Sequence, residues 1–250
     1  MIRRDPARAS ARELAGARTS GPGAERLPDC DILVLAVPDD VVAAAAAALA
    51  NRITCRFAFH LSGALPSEAL APLRPHGARV ASLHPVRPFT GADGEDWIGA
   101  HVSVEGDPEA VTAGEAVARA VGARPFRLDA DAKPLYHASA SLAAGGAVAV
   151  LGVAVRGWVA AGISETVARE ALADLSSRAT AAAGARSLAE ALTGAVARRD
   201  IGTVRSHTNA LASFPEALAL YRALAEEILR ATPGRGSEDL VRDALRAGTR

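Results

Sequence analysis

The sequence is poor in the residue types that mark several specialised classes of protein. Its 250 residues include two cysteines, Cys30 and Cys55, too few for a secreted disulfide framework or a cysteine-rich metal site. Aromatic residues make up only 4% of the chain, so Ala, Val and Leu must build its core. Basic and acidic residues number 28 each, and this balance gives no support for nucleic-acid binding. We expect a cytoplasmic protein that binds neither nucleic acid nor metal.

The apolar segments do not indicate export or insertion into a membrane. The first residues, MIRRDPARASARELAGA, are basic but lack the apolar stretch of a signal peptide. The longest apolar stretch, residues 139–155, is rich in alanine and glycine and is short for a membrane span. We therefore expect this stretch to form a buried helix of a protein without membrane contact.

The first half of the chain alternates short apolar runs with helical patterns. Asp39 and Asp40 begin one helix, and Asp107 and Pro108 begin another, as capping and dipole preferences favour. Such alternation predicts an α/β fold with a mainly parallel sheet, and after Asp131 only helical patterns remain. The predicted strands cover residues 32–37, 55–60, 78–85, 100–106 and 124–129.

Polar residues and glycine stand where three successive predicted strands end. Pro38 follows the first strand, Ser62 and Gly63 follow the second, and His84 lies at the end of the third. In parallel α/β sheets, ligands bind at the carboxyl ends of the strands. The sequence therefore predicts a ligand site at this edge.

Five motifs stand in the same order as in a known family: LAVPDD, HLSGAL, SLHPVRPFTG, KPLYHASASLAA and LTGAVARRDIGTVRSH. The chain resembles bacterial Rossmann-like proteins with a C-terminal domain of unknown function (family 2520), within the 6-phosphogluconate-dehydrogenase-like oxidoreductases. That superfamily includes ketopantoate reductase and pyrroline-5-carboxylate reductase. The resemblance implies a nucleotide-binding domain over residues 1–130 and a helical dimerisation domain over residues 131–250. It also implies a substrate cleft between them.

The sequence departs from the family pattern at its beginning. Family members open with a strand and a G-x-G-x-x-G turn, whose amides hold the cofactor pyrophosphate. This chain shows neither, and its MIRRDPARA resembles the end of the family's second strand. Two explanations stand beside each other: a misplaced start codon, or a real truncation that has removed cofactor binding.

The resemblance assigns cofactor contacts to four residues. Arg3 and Arg4 fall where arginines pair with the 2′-phosphate of NADP, whereas an acidic residue there would favour NAD. Val37 and Pro38 fall beside the cofactor ribose and pyrophosphate. The alternative for the arginines is a pair of exposed residues near the chain end.

Three residues are predicted to bind substrate. The hydroxyl of Ser62 and the backbone at Gly63 suit a carboxylate or an amide, and His84 suits a carbonyl or carboxylate oxygen. The alternatives are an ordinary turn capped by a serine and a structural histidine.

Lys133 and His137 are the predicted catalytic pair, because the resemblance implies a lysine on this helix that handles the carbonyl oxygen of the substrate. They are four residues apart, so they share a face of one helix. Lys133 is the only lysine in a chain that otherwise uses arginine, and a lysine can donate a proton as hydride reaches a carbonyl carbon. The resembled dehydrogenases carry an asparagine where His137 stands. The alternative for Lys133 is a solvated lysine at a helix start.

The sequence therefore predicts an NADP-dependent oxidoreductase that acts on a small carbonyl or imine acid, with NAD as the alternative cofactor. Ketopantoate is a substrate by analogy only. The competing hypothesis is a non-catalytic binding protein that has lost cofactor binding and forms a homodimer through its helical half.

Overall fold

The structure, a computed structural model, describes residues 27–88, 97–234 and 236–246. The predicted cofactor residues Arg3 and Arg4 lie outside the described residues. The chain divides into two compact units, Met1–Ala144 and Gly145–Arg250. The functional domains at residues 1–130 and 131–250 stay a prediction.

Five strands of the first unit form one sheet within the described residues. Their order is β1-β2-β3-β4-β5, and neighbouring strands are parallel except for the antiparallel pair β3 and β4. The predicted α/β class with a mainly parallel sheet is confirmed. The bounds are β1 Cys30–Leu35, β2 Cys55–His60, β3 Arg79–Pro85, β4 His101–Gly106 and β5 Arg124–Arg127.

The helices of the first unit begin where the sequence offers start signals. Pro38 precedes α1 with Asp39 and Asp40 in its first turn, and Pro108 opens α2. Pro134 stands in the first turn of α3, where its missing N–H leaves no hydrogen bond unmade. The elements are α1 Asp39–Leu49, a 3₁₀ helix Ser67–His76, α2 Pro108–Ala120, a 3₁₀ turn Ala130–Ala132 and α3 Lys133–Ser141.

The sheet buries an apolar core on each face. On one face, Val80 of β3 packs with Val42 of α1 and Leu70 of the 3₁₀ helix. On the other face, Leu83 packs against α2, where a Cβ at Gly114 would lie 2.8 Å from the Leu83 Cδ1. Because side chains alternate along a strand, Ser82 and His84 share the first face with Val80.

The second unit contains helices only, in the residues that the structure describes. Its core includes Val196, Val204 and Leu229. Arg199 adopts a left-handed conformation with φ 59°, and its buried guanidinium donates to the Thr232 carbonyl and to Glu238. The helices are α4 Ala147–Ala160, α5 Glu165–Ala185, α6 Leu188–Ala191, α7 Ala195–Arg198, α8 Ile201–Ala210, α9 Pro215–Ala231 and α10 Glu238–Arg246, with a π turn Leu142–Gly146 before α4 and a 3₁₀ turn Leu211–Ser213.

The expectation of a buried helix at residues 139–155 is wrong. None of the residues of α4, all of which the structure describes, is buried, and the Val148 side chain is 68% exposed. By length and composition alone, the helical stretch Ala130–Ala160 could cross a membrane, with a mean hydropathy of 1.9. Apolar content indicated burial, but α5 packs against α4 without burying it, and the residues of α4 stay half-buried or exposed.

Candidate active site

A row of polar side chains crosses the sheet near the ends of β2 and β3. His60 of β2 pairs with Ser82 of β3, which pairs with Glu105 of β4. All three are buried. His84 follows Ser82 by two residues and therefore lies on the same face, one step closer to the strand end.

The turn after β2 is held by its own side chains. The His60 Nδ1 accepts the Ser62 N–H at 3.2 Å, and its Nε2 lies 3.1 Å from the Pro66 carbonyl. An accepting Nδ1 requires a neutral imidazole protonated on Nε2, and burial correspondingly lowers the pKa of His60. His60 therefore fixes the backbone from Ser62 to Pro66.

The Ser62 hydroxyl faces this turn. Its Oγ accepts the backbone N–H groups of Ala64 and Leu65 at 3.2 and 3.0 Å. This arrangement matches the capping alternative that the sequence left open. A role for Ser62 in binding substrate stays a prediction.

Lys133 lies inside the protein, with 0% of the residue exposed. Its Nζ donates to the Ser82 Oγ at 2.8 Å and to the Ser62 carbonyl at 3.4 Å. The Ser82 hydroxyl donates in turn to the same carbonyl at 3.1 Å. Burial lowers the pKa of Lys133, against the opposing influence of nearby Glu105 and Asp39. The alternative of a solvated lysine does not fit this geometry.

Glu105 supplies a fixed negative charge on the same face. Its carboxylate accepts the Ser67 N–H at 2.9 Å and the Ser67 hydroxyl at 2.5 Å. The carboxylate thus satisfies the first turn of the 3₁₀ helix and also attracts the Lys133 ammonium.

His84, Tyr136 and His137 meet beside Gly63. The Tyr136 hydroxyl lies 2.7 Å from the His84 Nδ1, and the His84 and His137 rings meet edge to face with centroids 5.8 Å apart. Burial lowers the pKa of His84 to about 4, with His137 and Lys133 acting in the same direction. Burial also raises the pKa of Tyr136.

Glycine at position 63 permits this cluster to form. A Cβ there would lie 2.6 Å from the His137 Cδ2 and 2.7 Å from the His84 Nε2. These distances are far below van der Waals contact, so both rings lie directly against the backbone of the turn.

The structure brings five predicted site residues into one region: Ser62, Gly63, His84, Lys133 and His137. The predicted cofactor residues Val37 and Pro38 are not among the residues of this region. Val37 packs against the first core, and Pro38 lies exposed before α1.

Sequence reasoning missed three residues of the cluster. Ser82 and Glu105 interrupt otherwise apolar strands, and Tyr136 lies three residues after Lys133 on α3. A polar residue inside a buried strand is the signal that could have identified the first two.

The described residues fit only part of a nicotinamide-cofactor site. Polar groups beyond β2 and β3 suit a small polar ligand. However, the described ranges contain no glycine-rich turn between a strand and a helix, and the Asp39 and Asp40 carboxylates oppose a phosphate at the start of α1. Nor do residues 27–88, 97–234 and 236–246 include three His, Cys, Asp or Glu side chains placed to hold a metal.

A family model described as domain of unknown function (DUF2520) matches residues 100–228, which is more than half of the chain. The chain belongs to this family. The matched region of this DUF2520 protein includes Glu105, Lys133, Tyr136 and His137. No curated protein matches the chain.

Solved structures similar to this DUF2520 protein share its fold. A Thermotoga maritima protein is 21% identical with a TM-score of 0.71, over 83% of this chain and 80% of that one. A Bacteroides fragilis protein, named as a candidate NADP oxidoreductase, is 18% identical with a TM-score of 0.68, over 92% and 87%. A Plasmodium falciparum pyrroline carboxylate reductase with NADP bound is 8% identical with a TM-score of 0.52, over 88% and 78%.

Proposed function

We propose that this DUF2520 protein is an NADP-dependent oxidoreductase that transfers a hydride between nicotinamide and a small carbonyl or imine acid. The observation that carries the proposal is the cluster of His84, Tyr136, His137 and Lys133 at the carboxyl ends of β2 and β3. Parallel α/β sheets bind their ligands at this edge. The names of two similar structures, an NADP oxidoreductase and a reductase with NADP bound, support the same cofactor class.

In this proposal the nicotinamide supplies the hydride, and the residues of the chain bind and orient the substrate. His84 and His137 would present ring nitrogens to the oxygen atoms of a keto or imino acid. Val37 and Pro38 would border the cofactor, and Arg3 and Arg4 would pair with its 2′-phosphate. NAD is the alternative cofactor, and ketopantoate is one substrate to test.

Cofactor binding is the direct test of this proposal. NADPH fluorescence should change on titration with the protein, and NADH should bind more weakly because it lacks the 2′-phosphate. The titration should use the chain as printed and a form extended upstream in frame, followed by turnover assays with keto and imino acids. If neither form binds NADPH or NADH, the oxidoreductase proposal fails and the non-catalytic binding protein is favoured.

We also propose that the protein is a cytoplasmic homodimer that associates through α4. Supporting this, the exposed side chains of Val148 and Val159 and the half-buried side chains of Leu151 and Val155 line a groove of about 620 Å³ between α4 and the start of α5. Burial of such a face in a second copy would remove apolar area from water. Sedimentation equilibrium without detergent should give a dimer mass. A monomer that instead co-sediments with lipid vesicles would replace the dimer by a membrane-associated protein.

A further inference from the structure

We propose that Lys133 is a positioning residue that fixes α3 to the ends of β2 and β3. In the same proposal, His84, oriented by Tyr136, is the group that meets the substrate oxygen. The substrate role rests on the proposed function, whereas the role of Lys133 can be tested without any substrate.

The first argument is accessibility. A proton donor must come within hydrogen-bond distance of the atom that it protonates. The Lys133 Nζ is enclosed, and its hydrogen bonds go to the Ser82 Oγ and the Ser62 carbonyl. His84, Tyr136 and His137 are each only partly buried, so a ligand can reach them.

The second argument is the geometry of α3. Tyr136 and His137 follow Lys133 by three and four residues, so all three share one face of the helix. Fixing Lys133 to the sheet therefore fixes the Tyr136 hydroxyl at 2.7 Å from the His84 Nδ1. Lys133 therefore positions the partner of His84 through α3, in addition to its direct electrostatic effect on the pKa of His84.

The third argument concerns the proton on His84. Burial keeps this imidazole neutral at physiological pH, since its pKa is lowered to about 4. If the Tyr136 O–H donates to Nδ1, the single ring proton must lie on Nε2. That Nε2 faces the turn at Gly63, where a Cβ would lie 2.7 Å away. A neutral N–H there can donate a hydrogen bond to a carbonyl oxygen and stabilise its developing charge. The role of His84 is a hydrogen bond and not transfer of its proton, and the alkoxide left by hydride addition takes its proton from solvent water.

Amine-selective labelling tests the role of Lys133, because the chain has only one lysine. The folded protein is treated with an acetylating reagent, and the labelled peptides are quantified by mass spectrometry over time. Arg178→Lys supplies a matched exposed amine on α5, because the Arg178 side chain is 78% exposed.

We expect Lys133 to react at least about 100-fold more slowly than the amine introduced at position 178, because labelling requires local opening. In urea the two amines should react alike. Equal labelling of both amines in the folded protein would contradict a buried positioning role.

Imidazole nitrogen NMR tests the role of Tyr136. The His84 signals, identified by their loss in His84→Gln, should report a proton on Nε2 and an unprotonated Nδ1. Tyr136→Phe should convert this state into a mixture of tautomers. Tyr221→Phe is a matched control, because the Tyr221 hydroxyl lies 3.0 Å from the His207 Nδ1 in the second unit. It should change only the His207 signals. A His84 tautomer that is unchanged in Tyr136→Phe would overturn this part of the proposal.

Kinetics separate the inference from the proposed function. The labelling and NMR experiments test the roles of Lys133 and Tyr136 even if no NADPH-dependent turnover is found. Where turnover is found, His84→Ala should lower kcat about 100-fold, as loss of a donor to a developing oxyanion does, and should leave NADPH affinity unchanged. An unchanged kcat would exclude His84 as the group that meets the substrate oxygen.

Discussion

The two units of the chain differ in how they place polar and apolar residues. In the first unit, the buried residues include Lys133, His60 and Glu105, which are ordinarily found at protein surfaces. In the second unit, apolar residues of α4 such as Val148 and Val159 are exposed. Both units thus enclose charge, the second at the Arg199 guanidinium, but the second also leaves an apolar helix in contact with solvent.

The two units differ in how far these side chains find interaction partners. The buried polar atoms of Lys133 and Glu105 find hydrogen-bond partners on neighbouring strands and helices of the same unit. The apolar residues of α4 pack in part against α5, and Val148 and Val159 still remain exposed. Substitutions in the polar cluster should therefore change folding stability, whereas substitutions on α4 should change association.

The largest expected effect is on the buried charges. Glu105→Ala removes the acceptor for the Ser67 N–H and leaves the Lys133 ammonium without its nearby carboxylate. We expect a loss of about 3 kcal/mol in the free energy of unfolding, measured by urea denaturation. Glu109→Ala is the control, because its ion pair with Arg79 is exposed, and it should cost less than about 1 kcal/mol. Equal losses of unfolding free energy in the two variants would show that the buried Glu105 contributes no more than an exposed glutamate.

The second effect is on pH dependence. Burial lowers the pKa of His84 from 6.5 to about 4 and also lowers the pKa of His60, so the unfolded chain binds more protons in that window. The contribution of these histidines to the free energy of unfolding should be fully present above pH 6.5 and should be lost as the pH falls towards 4. For His84 the loss is about 2 kcal/mol after allowance for its partial exposure.

Denaturation curves at a series of pH values measure this slope. His84→Gln should flatten it, because glutamine does not titrate. His76→Gln, at an exposed position, should leave the slope as it is in the unchanged protein. If His84→Gln does not alter the slope, the pH dependence of stability does not come from the lowered pKa of His84.

The third effect falls on the helical unit and has a different readout. Val148→Glu places a charge on the apolar face of α4, and sedimentation should then show a monomer where the unchanged protein is a dimer. The unfolding free energy of the monomer should change by less than about 0.5 kcal/mol, because the site is exposed in a single copy. Leu175→Glu is a matched control on an exposed position of α5, and it should leave the association unchanged.

The smallest effect is expected at an exposed ion pair. Arg178 contacts Asp174 at 2.9 Å across one turn of α5, with both side chains mostly exposed. Arg178→Ala should lower the unfolding free energy by only about 0.4 kcal/mol, and 0.5 M salt should erase most of that difference. A loss comparable to that of Glu105→Ala would mean that exposed and buried charges do not differ in this protein.

The sheet could be predicted because its strands leave a local pattern. Cys55–His60 has the predicted bounds, β1 lies two residues earlier at both ends, and the other strands shift by one or two residues at one end. The antiparallel direction of β4 could not be predicted, since a short apolar run carries no information about direction.

The candidate site was predictable in outline only. Strand ends indicated Gly63 and His84, and helical spacing joined Lys133 to His137. The burial of Lys133 was not predictable, because it depends on Ser82 and Glu105, which lie far away in the sequence. The exposure of α4 was likewise hidden, because composition alone does not say whether an apolar face has a partner.

The close approach at Gly63 has an evolutionary consequence. Two imidazole rings occupy the space that a side chain at position 63 would need, within 2.6 Å for His137 and 2.7 Å for His84. A relative with alanine at position 63 would therefore need a smaller residue at one of the other two positions. Positions 63, 84 and 137 should covary among homologues, and that pattern would distinguish the family members that retain this cluster from those that have lost it.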